Sequence, residues 1–236
     1  MDFHDSLLHK GYCIIPSVYS PSEVGEIDDV INAAGQESPL FRKSKDLFAI
    51  RQFLKQVPEA APAIFTSRLA DITTRLFGNG YFVVKSIYFD KPAASNWFVA
   101  YHQDLTISVG EKVNIDGYGP WTVKQDQFAV QPPMPVLEDN FTIRIHLDDA
   151  GPENGALKVV PGSHRKGEYR AEAIDWSVET EDTCEVPAGG VMIMRPLLLH
   201  ASGRTTNQQR RRVLHIEFSR TSLPSLLHWS EKLEIF

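Results

Sequence analysis

"RLFGNGYFVVKSIYF", residues 75–89, contains the point at which the character of the sequence changes. Before it, apolar residues recur at helical spacing, and Gly78 offers a stop for a helix. After Gly80, the chain consists of short runs rich in β-branched and aromatic residues, separated by clusters of Pro, Gly, Asn and Asp. Helices first and many short strands afterwards predict a mainly β protein whose helices pack on one side of the strands.

Two helices are predicted before Gly80. Residues 20–35, "SPSEVGEIDDVINAAG", have Ser20 as N-cap, Pro21 in the first turn, Glu23 to complete a capping box, and Gly35 as a stop. The buried stripe of this helix is predicted to contain Val24, Ile27, Ile31 and Ala34. A second helix is predicted within residues 62–78, with a stripe made of Ile64, Phe65, Leu69, Ile72 and Leu76.

Short β-type runs fill most of the chain after Gly80. They are residues 81–89, 97–104, 105–109, 141–147, 156–160, 183–186, 191–194 and 211–218. This number of strands best fits a double-stranded β-helix (jelly roll) barrel. We expect one domain, with a mostly helical layer at 1–80, a jelly-roll core at 81–220 and a tail at 221–236. The turn-rich segment from Gly110 to Pro135 is typical in length of a lid or binding loop.

Composition limits the classes of function. The chain has 236 residues, of which 42% are hydrophobic and 23% charged, and its formal net charge is −6. This balance is ordinary for a globular protein and argues against a nucleic-acid partner, which would favour a basic face. The N-terminus lacks the basic start of a signal peptide, and no apolar run is long enough to span a membrane. Cys13 and Cys184 are too few for a disulfide framework, so a reducing cytoplasm is the simplest location. The oligomeric state stays open.

A metal site is suggested by "WFVAYHQDLTISV", residues 97–109. In a strand, residues i and i+2 point the same way, so His102 and Asp104 can converge on one ion. A facial triad of two histidines and one carboxylate needs a third ligand. The candidate is His200, which is predicted to lie at the end of an apolar strand formed by the run before it. The pattern alone is weak, because His146 and Asp148 repeat it. The second pair has a plain alternative explanation, since Asp148 opens a loop and Asp is a common turn former.

Two arginines are candidates for binding a carboxylate inside the barrel. Arg211 enters a strand eleven residues after His200, and its guanidinium can hold a carboxylate with two hydrogen bonds, to which Ser202 could add a hydroxyl. The alternative is that Arg211 belongs to a solvated basic cluster at residues 210–212. Arg144 alternates with apolar residues along its strand, so its face is either half solvated or lines a polar cavity.

The residues named so far resemble a known family. The "HQD" at 102–104, the residues His200, Ser202 and Arg211, and "ENGALKVVPGSH" at 153–164 resemble the phytanoyl-CoA dioxygenase family of Fe(II)- and 2-oxoglutarate-dependent oxygenases. The resemblance covers roughly residues 81–219 and, more loosely, the N-terminal helices. In that family the ligand pair precedes the "PGSH" segment by a long interval. This spacing favours the pair at 102 and 104 over the pair at 146 and 148.

The resemblance implies a specific chemistry. His102, Asp104 and His200 would hold Fe(II), while Arg211 and Ser202 would bind the far carboxylate of 2-oxoglutarate. Molecular oxygen would be the second cosubstrate, and succinate and carbon dioxide would be released as a C–H bond of a small organic substrate is hydroxylated. Because Asp104 is present, no ligand position is left for a halide, so hydroxylation is favoured over halogenation.

The resemblance also gives Arg144 an inward position near the cosubstrate, where many relatives carry an aromatic residue. The alternative function is a jelly-roll or cupin-type metal-binding protein, or a non-redox metalloenzyme, without 2-oxoglutarate chemistry. The primary substrate stays open. Trp97, Trp121 and Phe128 could form an aromatic wall around it or pack as ordinary hydrophobic residues, and Lys85 and Asn96 could contact the cosubstrate or lie at the surface.

Overall fold

The computed structural model describes residues 2–34, 41–43, 48–124 and 127–235. The α-helices are α1 (Phe3–His9), α2 (Pro21–Ala33), α3 (Phe53–Gln56), α4 (Ala61–Ile64), α5 (Ser67–Phe77) and α6 (Met134–Asp139). The strands are β1 (Tyr12–Ile15), β2 (Phe41–Lys43), β3 (Phe48–Arg51), β4 (Phe82–Lys91), β5 (Val99–His102), β6 (Ile107–Val109), β7 (Trp121–Lys124), β8 (Gln127–Val130), β9 (Phe141–His146), β10 (Leu157–Val159), β11 (Asp182–Cys184), β12 (Val191–Met194), β13 (His200–Ser202) and β14 (Arg211–Ser219). The predicted mainly β class is confirmed.

The strands form three antiparallel sheets among the described residues. The largest has the order β1-β12-β9-β14-β4-β3-β2, the second β11-β10-β13-β5, and the third β6-β8-β7. Strands that lie far apart in the sequence are neighbours, as β9 and β14 are. The first two sheets contribute most of the described residues that line the cavity containing His102, Asp104 and His200.

Side-chain alternation along β9 and β14 gives the largest sheet two different faces. One face is apolar and packs with buried residues of the N-terminal helices in a single core, which includes Ile143, Ile145, Leu214, Ile216, Phe218, Ile27, Ile64 and Leu69. The side chains that point to the other face include five buried polar ones, namely Arg144, His146, Arg211, His215 and Glu217. The predicted packing of helices on one side therefore leaves the polar side free to form a site.

The first predicted helix forms with the predicted boundary. Ser20 accepts a hydrogen bond from the backbone N–H of Glu23, and the Glu23 carboxylate accepts one from the N–H of Ser20. This reciprocal pair is the capping box, and it stabilises the start of α2 by satisfying two otherwise unpaired donors. The helix ends at Ala33, and the predicted stop at Gly35 lies outside the described residues.

The second predicted helix differs from the expectation because it is divided. Phe65 leaves the helical conformation with ψ of 64°, and a new helix starts at Ser67. Thr66 caps the new start, since its hydroxyl accepts a hydrogen bond from the backbone N–H of Leu69. A local capping residue therefore interrupts a periodic apolar pattern. Gly78 ends α5 as predicted.

Residues 1–80 contain short strands as well as helices. The strands β1, β2 and β3 lie in this part and join the largest sheet, β1 beside β12 and β3 beside β4. Each has at most four residues, so its sequence shows little period-2 alternation. Their strand conformation comes from the hydrogen bonds that the partner strands offer.

Two other segments depart from their predicted structure. The apolar run at 197–199 is not a strand: β12 ends at Met194, and His200 begins β13 instead of ending a strand. Pro196 has no N–H to continue a ladder. The segment from Gly110 to Pro135 contains β7 and β8, which form a sheet with β6. Among the described helices, none is both long and apolar enough to cross a bilayer.

Candidate metal centre and cavity

Three predicted ligands meet where two strands end. His102 is the last residue of β5 and His200 the first of β13, and these two residues are direct partners in the antiparallel pair. Asp104 follows two residues later. Its Oδ1 lies 3.9 Å from Nε2 of His102, and its Oδ2 lies 3.8 Å from Nε2 of His200. The strand pairing thus brings a distant histidine to the local His-x-Asp pair.

The donor atoms fit a divalent metal. Nδ1 of His102 and Nδ1 of His200 each lie 2.9 Å from the backbone carbonyl oxygen two residues earlier. A carbonyl only accepts, so Nδ1 carries the proton and the lone pair of each Nε2 is turned toward Asp104. Oδ2 of Asp104 is buried and has no hydrogen-bond partner. Ligand atoms about 2.1 Å from one ion lie within about 4.2 Å of each other, and both distances satisfy this limit.

The protonation states agree with ligand roles. Burial lowers the pKa of His200 to about 4, against the opposing effect of the Asp104 carboxylate, so the imidazole is neutral at pH 7. Burial would raise the pKa of Asp104, but His200 and Lys85 more than offset it and hold that pKa well below its usual range. Neutral imidazoles and an ionised carboxylate are the forms that bind a metal.

A second acidic cluster is less suited to a metal. Asp104, His215 and Glu217 also have ligand atoms within 4.8 Å of one another. However, Nε2 of His215 lies 3.1 Å from Glu217, and Nδ1 of His215 lies 2.9 Å from Nη1 of Arg144. The guanidinium can only donate, so Nδ1 accepts and Nε2 carries the proton that Glu217 accepts. Neither ring nitrogen of His215 keeps a lone pair for an ion.

Gln103, between the two local ligands, ties the site to its surroundings. Its amide nitrogen donates to the carbonyl oxygens of Leu197 at 2.6 Å and Gly167 at 2.9 Å. Its amide oxygen accepts from the backbone N–H of Tyr169 at 2.8 Å. One side chain therefore connects the segment with His102 to the segment that leads into His200.

Gln103 connects the backbone segments that carry the ligands, so we expect Gln103→Ala to weaken metal binding by about 10-fold, the low end of the effect of losing groups that orient metal ligands. The measurement is equilibrium binding of Fe(II) under anaerobic conditions. Gln103→Glu is the matched control, since a carboxylate keeps the size but cannot donate to the two carbonyls. Equal Fe(II) affinity in wild type and both variants would show that the hydrogen bonds of Gln103 do not hold the ligands in place.

A cavity of about 210 Å³ opens beside the three ligands. Its described lining residues are Ala49, Arg51, Lys85, Ile87, Phe89, Lys91, Trp97, Val99, His102, Asp104, Arg144, Leu157, His200, Ala201, Ser202, Arg211 and His215. The predicted Arg144, Ser202 and Arg211 are among them. Arg211 is 4% exposed, so it is not part of a solvated basic cluster.

Arg211 and Lys91 form a buried cationic pair at one end of the cavity. Nε of Arg211 donates to the carbonyl oxygen of Asn154 at 3.1 Å, and Nη2 donates to the hydroxyl of Ser202 at 3.3 Å. Nζ of Lys91, on the strand position paired with Arg211, donates to the carbonyl oxygen of Gly203. Within the described ranges, neither cation has a carboxylate within ion-pair distance.

Glycine at 155 leaves room at this cationic end. A Cβ at Gly155 would lie 2.6 Å from Nζ of Lys91 and 3.4 Å from Oγ of Ser202, and the residue has φ of +78°, which also favours glycine. Burial lowers the pKa of Arg211 to about 9 and that of Lys91 to about 8, each also lowered by a neighbouring cation. Two buried cations with only neutral partners are costly, so this end fits an anionic ligand.

A hydrogen-bonded row of side chains faces the three ligands from the largest sheet. Arg144 donates to His215, His215 donates to Glu217, and Nζ of Lys85 lies 2.7 Å from Oε1 of Glu217. Burial would raise the pKa of Glu217, but Lys85 and His215 lower it, so the carboxylate is ionised. Nε of Arg144 is buried without a hydrogen-bond partner.

The comparisons with known proteins agree with this geometry. The family model described as phytanoyl-CoA dioxygenase matches residues 7–213, which is most of the chain. The chain belongs to the phytanoyl-CoA dioxygenase family. The resemblance inferred from the sequence is thereby confirmed. Fe(II) and 2-oxoglutarate are the metal and cosubstrate of this family, and the two-histidine, one-carboxylate donor set and the cationic end of the cavity fit them.

One curated relative and several solved structures are similar to this chain. L-Proline trans-4-hydroxylase of Streptomyces griseoviridis is 30% identical over a match that covers 36% of this chain and 42% of that protein. EctD from S. alaskensis with 2-oxoglutarate and 5-hydroxyectoine has a TM-score of 0.70 at 19% identity, covering 92% of this chain and 74% of that chain.

A third relative has a different reaction in its name. The non-heme alpha ketoglutarate dependent carbocyclase SnoK has a TM-score of 0.68 at 18% identity, covering 92% of this chain and 82% of that chain. The likeness to solved structures confirms the jelly-roll fold, and the chain spans less than half the length of its curated relative.

The second His-x-Asp pair is not part of the metal centre of this family member. Asp148 accepts from the guanidinium of Arg212 at 2.7 and 2.9 Å, and His146 is 2% exposed on the neighbouring strand. Both ring nitrogens of His146 lack a hydrogen-bond partner. The Asp148 carboxylate is thus engaged in an ion pair with Arg212.

The aromatic residues divide between the cavity and the core. Trp97 lines the cavity, whereas Trp121 and Phe128 pack in an apolar cluster with Ile107, Val109, Leu227 and Trp229. For Lys85 and Asn96 the sequence left open a place at the site or at the surface. Lys85 lines the cavity, and Asn96 is not among the described residues that line it. Sequence reasoning missed Lys91, His215 and Glu217. A signal for the last two exists, because they share the parity of Arg211 along β14.

Buried histidines give the metal-free protein a pH dependence. Burial, together with the charges of Arg144 and Arg211, lowers the pKa of His146 well below 6.5. Burial also lowers the pKa of His164 to about 4. In the unfolded chain these two histidines bind protons as the pH falls below about 6.5, whereas in the folded chain they stay neutral to a lower pH. Stability is therefore full above pH 6.5 and falls as the pH drops toward 4.

We expect His146→Gln to flatten this dependence by up to about 1.4 kcal/mol per pH unit between pH 6.5 and 5. The measurement is the free energy of unfolding by urea at several pH values. The exposed His228→Gln serves as control and should keep the wild-type slope. An unchanged slope in His146→Gln would mean that His146 does not stay neutral in the folded protein.

Proposed function

We propose that this protein is a non-haem Fe(II)- and 2-oxoglutarate-dependent dioxygenase that hydroxylates a C–H bond of a small organic molecule. The observation that carries the proposal is the pair of buried cations, Lys91 and Arg211, in the same cavity as His102, Asp104 and His200. A metal-binding protein without a dicarboxylate ligand has no use for two uncompensated buried cations. This observation favours the oxygenase over a cupin-type protein without 2-oxoglutarate chemistry.

Each residue has a distinct proposed role. His102, Asp104 and His200 would hold Fe(II), which supplies the oxidation chemistry when bound. Arg211 and Ser202 would bind the far carboxylate of 2-oxoglutarate, and Lys91 adds a second cation to the same group. Planar guanidinium groups suit this task because they bind a carboxylate through two hydrogen bonds.

Arg144 would lie along the cosubstrate, between its two ends. The guanidinium is close enough to Arg211 to lower the pKa of that residue, and close enough to Asp104 that the carboxylate acts to raise the pKa of Arg144 itself. Its unpartnered Nε could donate to an oxygen of the cosubstrate. The buried walls, including Leu157 and Ala201, exclude water from the reacting atoms.

Hydroxylation is the finer part of the proposal. With a metal bound, the carboxylate of Asp104 would take the ligand position that a halide would need, and one relative is named a hydroxylase. The name carbocyclase on a structural neighbour indicates that this fold also supports other oxidations. The substrate is proposed to be a small molecule, because the 210 Å³ cavity lies below the usual range for ligand pockets.

The test has two stages. Anaerobic protein with Fe(II) and 2-oxoglutarate is expected to show the weak visible charge-transfer band of the chelate. On admission of oxygen without any substrate, slow formation of succinate is expected, and a metabolite screen for products heavier by one oxygen atom then identifies the substrate. Metal binding without the band and without succinate would instead support the cupin-type alternative.

A further inference from the structure

Arg144 is held in the cavity by a neutral partner. Its Nη1 donates to Nδ1 of His215 at 2.9 Å, and its Nε is buried without a hydrogen-bond partner. Among the described residues, no carboxylate lies within ion-pair distance of Arg144. Burial lowers the pKa of Arg144 to about 10, so the guanidinium is still charged at pH 7. One of its N–H groups is therefore fixed while its charge has no ion-pair partner.

An imidazole can orient an arginine without neutralising it. A carboxylate at the same position would form an ion pair with the guanidinium and would compete with an anionic ligand for it. A neutral imidazole offers a single lone pair, which directs one N–H and leaves the positive charge to the ligand. Burial lowers the pKa of His215 below 6.5, against the opposing effect of Glu217, so the ring is neutral at pH 7. His215 is therefore suited to hold Arg144 in one orientation.

Glu217 determines which ring nitrogen of His215 carries the proton. Only the tautomer with the proton on Nε2 has a lone pair at Nδ1 for Arg144. Nε2 lies 3.1 Å from Oε1 of Glu217, which accepts the hydrogen bond. Lys85 donates to the same oxygen at 2.7 Å and compensates the charge of this carboxylate. The opposite tautomer would bring two acceptors together at Nε2 and two donors together at Nδ1.

The sheet and a neighbouring ring fix the imidazole of His215. In the register of the sheet, His215 is the partner of Arg144 on β9 and of Ile87 on β4. Directly opposite residues point to the same face, so the side chains of His215 and Arg144 meet on the cavity side. The Phe89 ring packs edge-on against the imidazole, with centroids 6.2 Å apart and an interplanar angle of 86°. Two hydrogen bonds and one aromatic contact thus restrict rotation of the ring.

We propose that His215 is a positioning residue for the cosubstrate. Through the lone pair at Nδ1 that Glu217 preserves, it holds the guanidinium of Arg144 in the orientation that binds 2-oxoglutarate. The inference rests on the proposed oxygenase function, in which Arg144 lies along that cosubstrate. Loss of the acceptor at His215 releases rotamers of Arg144, and binding then has to order this side chain again.

The first measurement determines the tautomer in the wild-type protein. Long-range proton–nitrogen correlation spectra of metal-free protein with ¹⁵N-labelled histidine, recorded at pH 7, distinguish the two neutral tautomers from the imidazolium. His215→Phe assigns the resonances of the residue. We expect the proton of His215 on Nε2 and a hydrogen-bonded lone pair on Nδ1. A proton on Nδ1, or an imidazolium, would overturn the inference.

The second measurement is the Kd for 2-oxoglutarate, obtained by calorimetry on Zn²⁺-loaded protein. His215→Phe is expected to raise this Kd by about 3- to 10-fold, the range for ordering one flexible side chain on binding. His215→Asn should bind like wild type, because its amide oxygen lies near the place of Nδ1 and accepts from Arg144. His215→Gln carries its amide nearer the place of Nε2 and should resemble His215→Phe.

The affinity for Zn²⁺ shows whether the effect is specific to the cosubstrate. We expect it to be the same in wild type, His215→Phe and His215→Asn. An unchanged Kd for 2-oxoglutarate in His215→Phe would overturn the inference. So would an equal loss of affinity for Zn²⁺ and for 2-oxoglutarate, because His215 would then support the whole site.

A double-mutant cycle assigns the effect to Arg144. Arg144→Met alone is expected to raise the Kd for 2-oxoglutarate by more than His215→Phe does, because it removes the cation itself. In the Arg144→Met background, His215→Phe should have no further effect, since the side chain that it positions is gone. A full additional effect in that background would overturn the inference, because His215 would then act on the cosubstrate by another route.

Formation of succinate keeps the two proposals separable. If wild type binds 2-oxoglutarate and forms succinate, but His215→Phe has the same Kd, only the positioning role is refuted. If wild type neither binds 2-oxoglutarate nor forms succinate, the oxygenase function is refuted, and the positioning role for this cosubstrate with it.

Discussion

Replacing His200 with alanine is expected to abolish metal-dependent activity. The side chain supplies one of three protein ligands, and its Nε2 lies 3.8 Å from Oδ2 of Asp104. Changes to outer partners alone weaken metal binding by about 10- to 100-fold, so removal of a ligand should cost more than about 100-fold. We expect Fe(II) binding in His200→Ala to fall below detection at micromolar concentrations, and formation of succinate to fall with it.

The matched control for this prediction is His228→Ala, which removes an exposed histidine far along the chain. Circular dichroism of both variants would establish that they fold. A folded His200→Ala protein that still binds Fe(II) like wild type would show that the 102, 104 and 200 trio is not the metal centre.

The metal centre was accessible to sequence reasoning because most of its geometry is local. The two-residue spacing of His102 and Asp104 suggested from the sequence that they converge, and they do so where β5 ends at His102. His200 depends on the pairing of β13 with β5, which no local pattern encodes. It could be selected because it follows the apolar run at 197–199, although that run is not a strand.

The cation at 91 shows where sequence reasoning fails. Lys91 follows Asp90 at the end of a predicted strand, a position at which a lysine is ordinarily solvated. It is fully buried because β14 pairs along the whole of β4, so that Arg211 and Lys91 become neighbours. The prediction of a single continuous second helix fails for the opposite reason. There, a local cap overrides an apolar period that continues through it.

The same buried lysine leads to a prediction with two effects of opposite sign. We expect Lys91→Met to stabilise the protein without cosubstrate and to weaken the binding of 2-oxoglutarate. Burial and the neighbouring Arg211 lower the pKa of Lys91 from 10.5 to about 8, a penalty of about 3 kcal/mol for the charged form. Methionine removes this penalty but leaves the Gly203 carbonyl without a donor, at a cost of about 1–3 kcal/mol. The expected net gain in unfolding free energy is about 1 kcal/mol.

In the presence of cosubstrate, Lys91→Met is expected to be unfavourable, because the variant binds 2-oxoglutarate more weakly. Removal of one partner from a buried charge pair costs about 2–5 kcal/mol, so the KM for 2-oxoglutarate should rise by about 30-fold or more. Arg211→Met should raise it further, because it also loses the guanidinium contact with Ser202. The exposed Lys112→Met is the control for both measurements.

Unfolding free energy and KM together separate binding from structure. If Lys91 served only to hold the Gly203 carbonyl, Lys91→Met would be less stable than wild type and would have an unchanged KM. If Lys91 binds the carboxylate of the cosubstrate, Lys91→Met is more stable than wild type without cosubstrate. Added cosubstrate then raises its unfolding free energy by less than that of wild type. We expect the second outcome, because a buried cation without a counter-charge destabilises the free protein and is stabilised only when an anionic ligand binds.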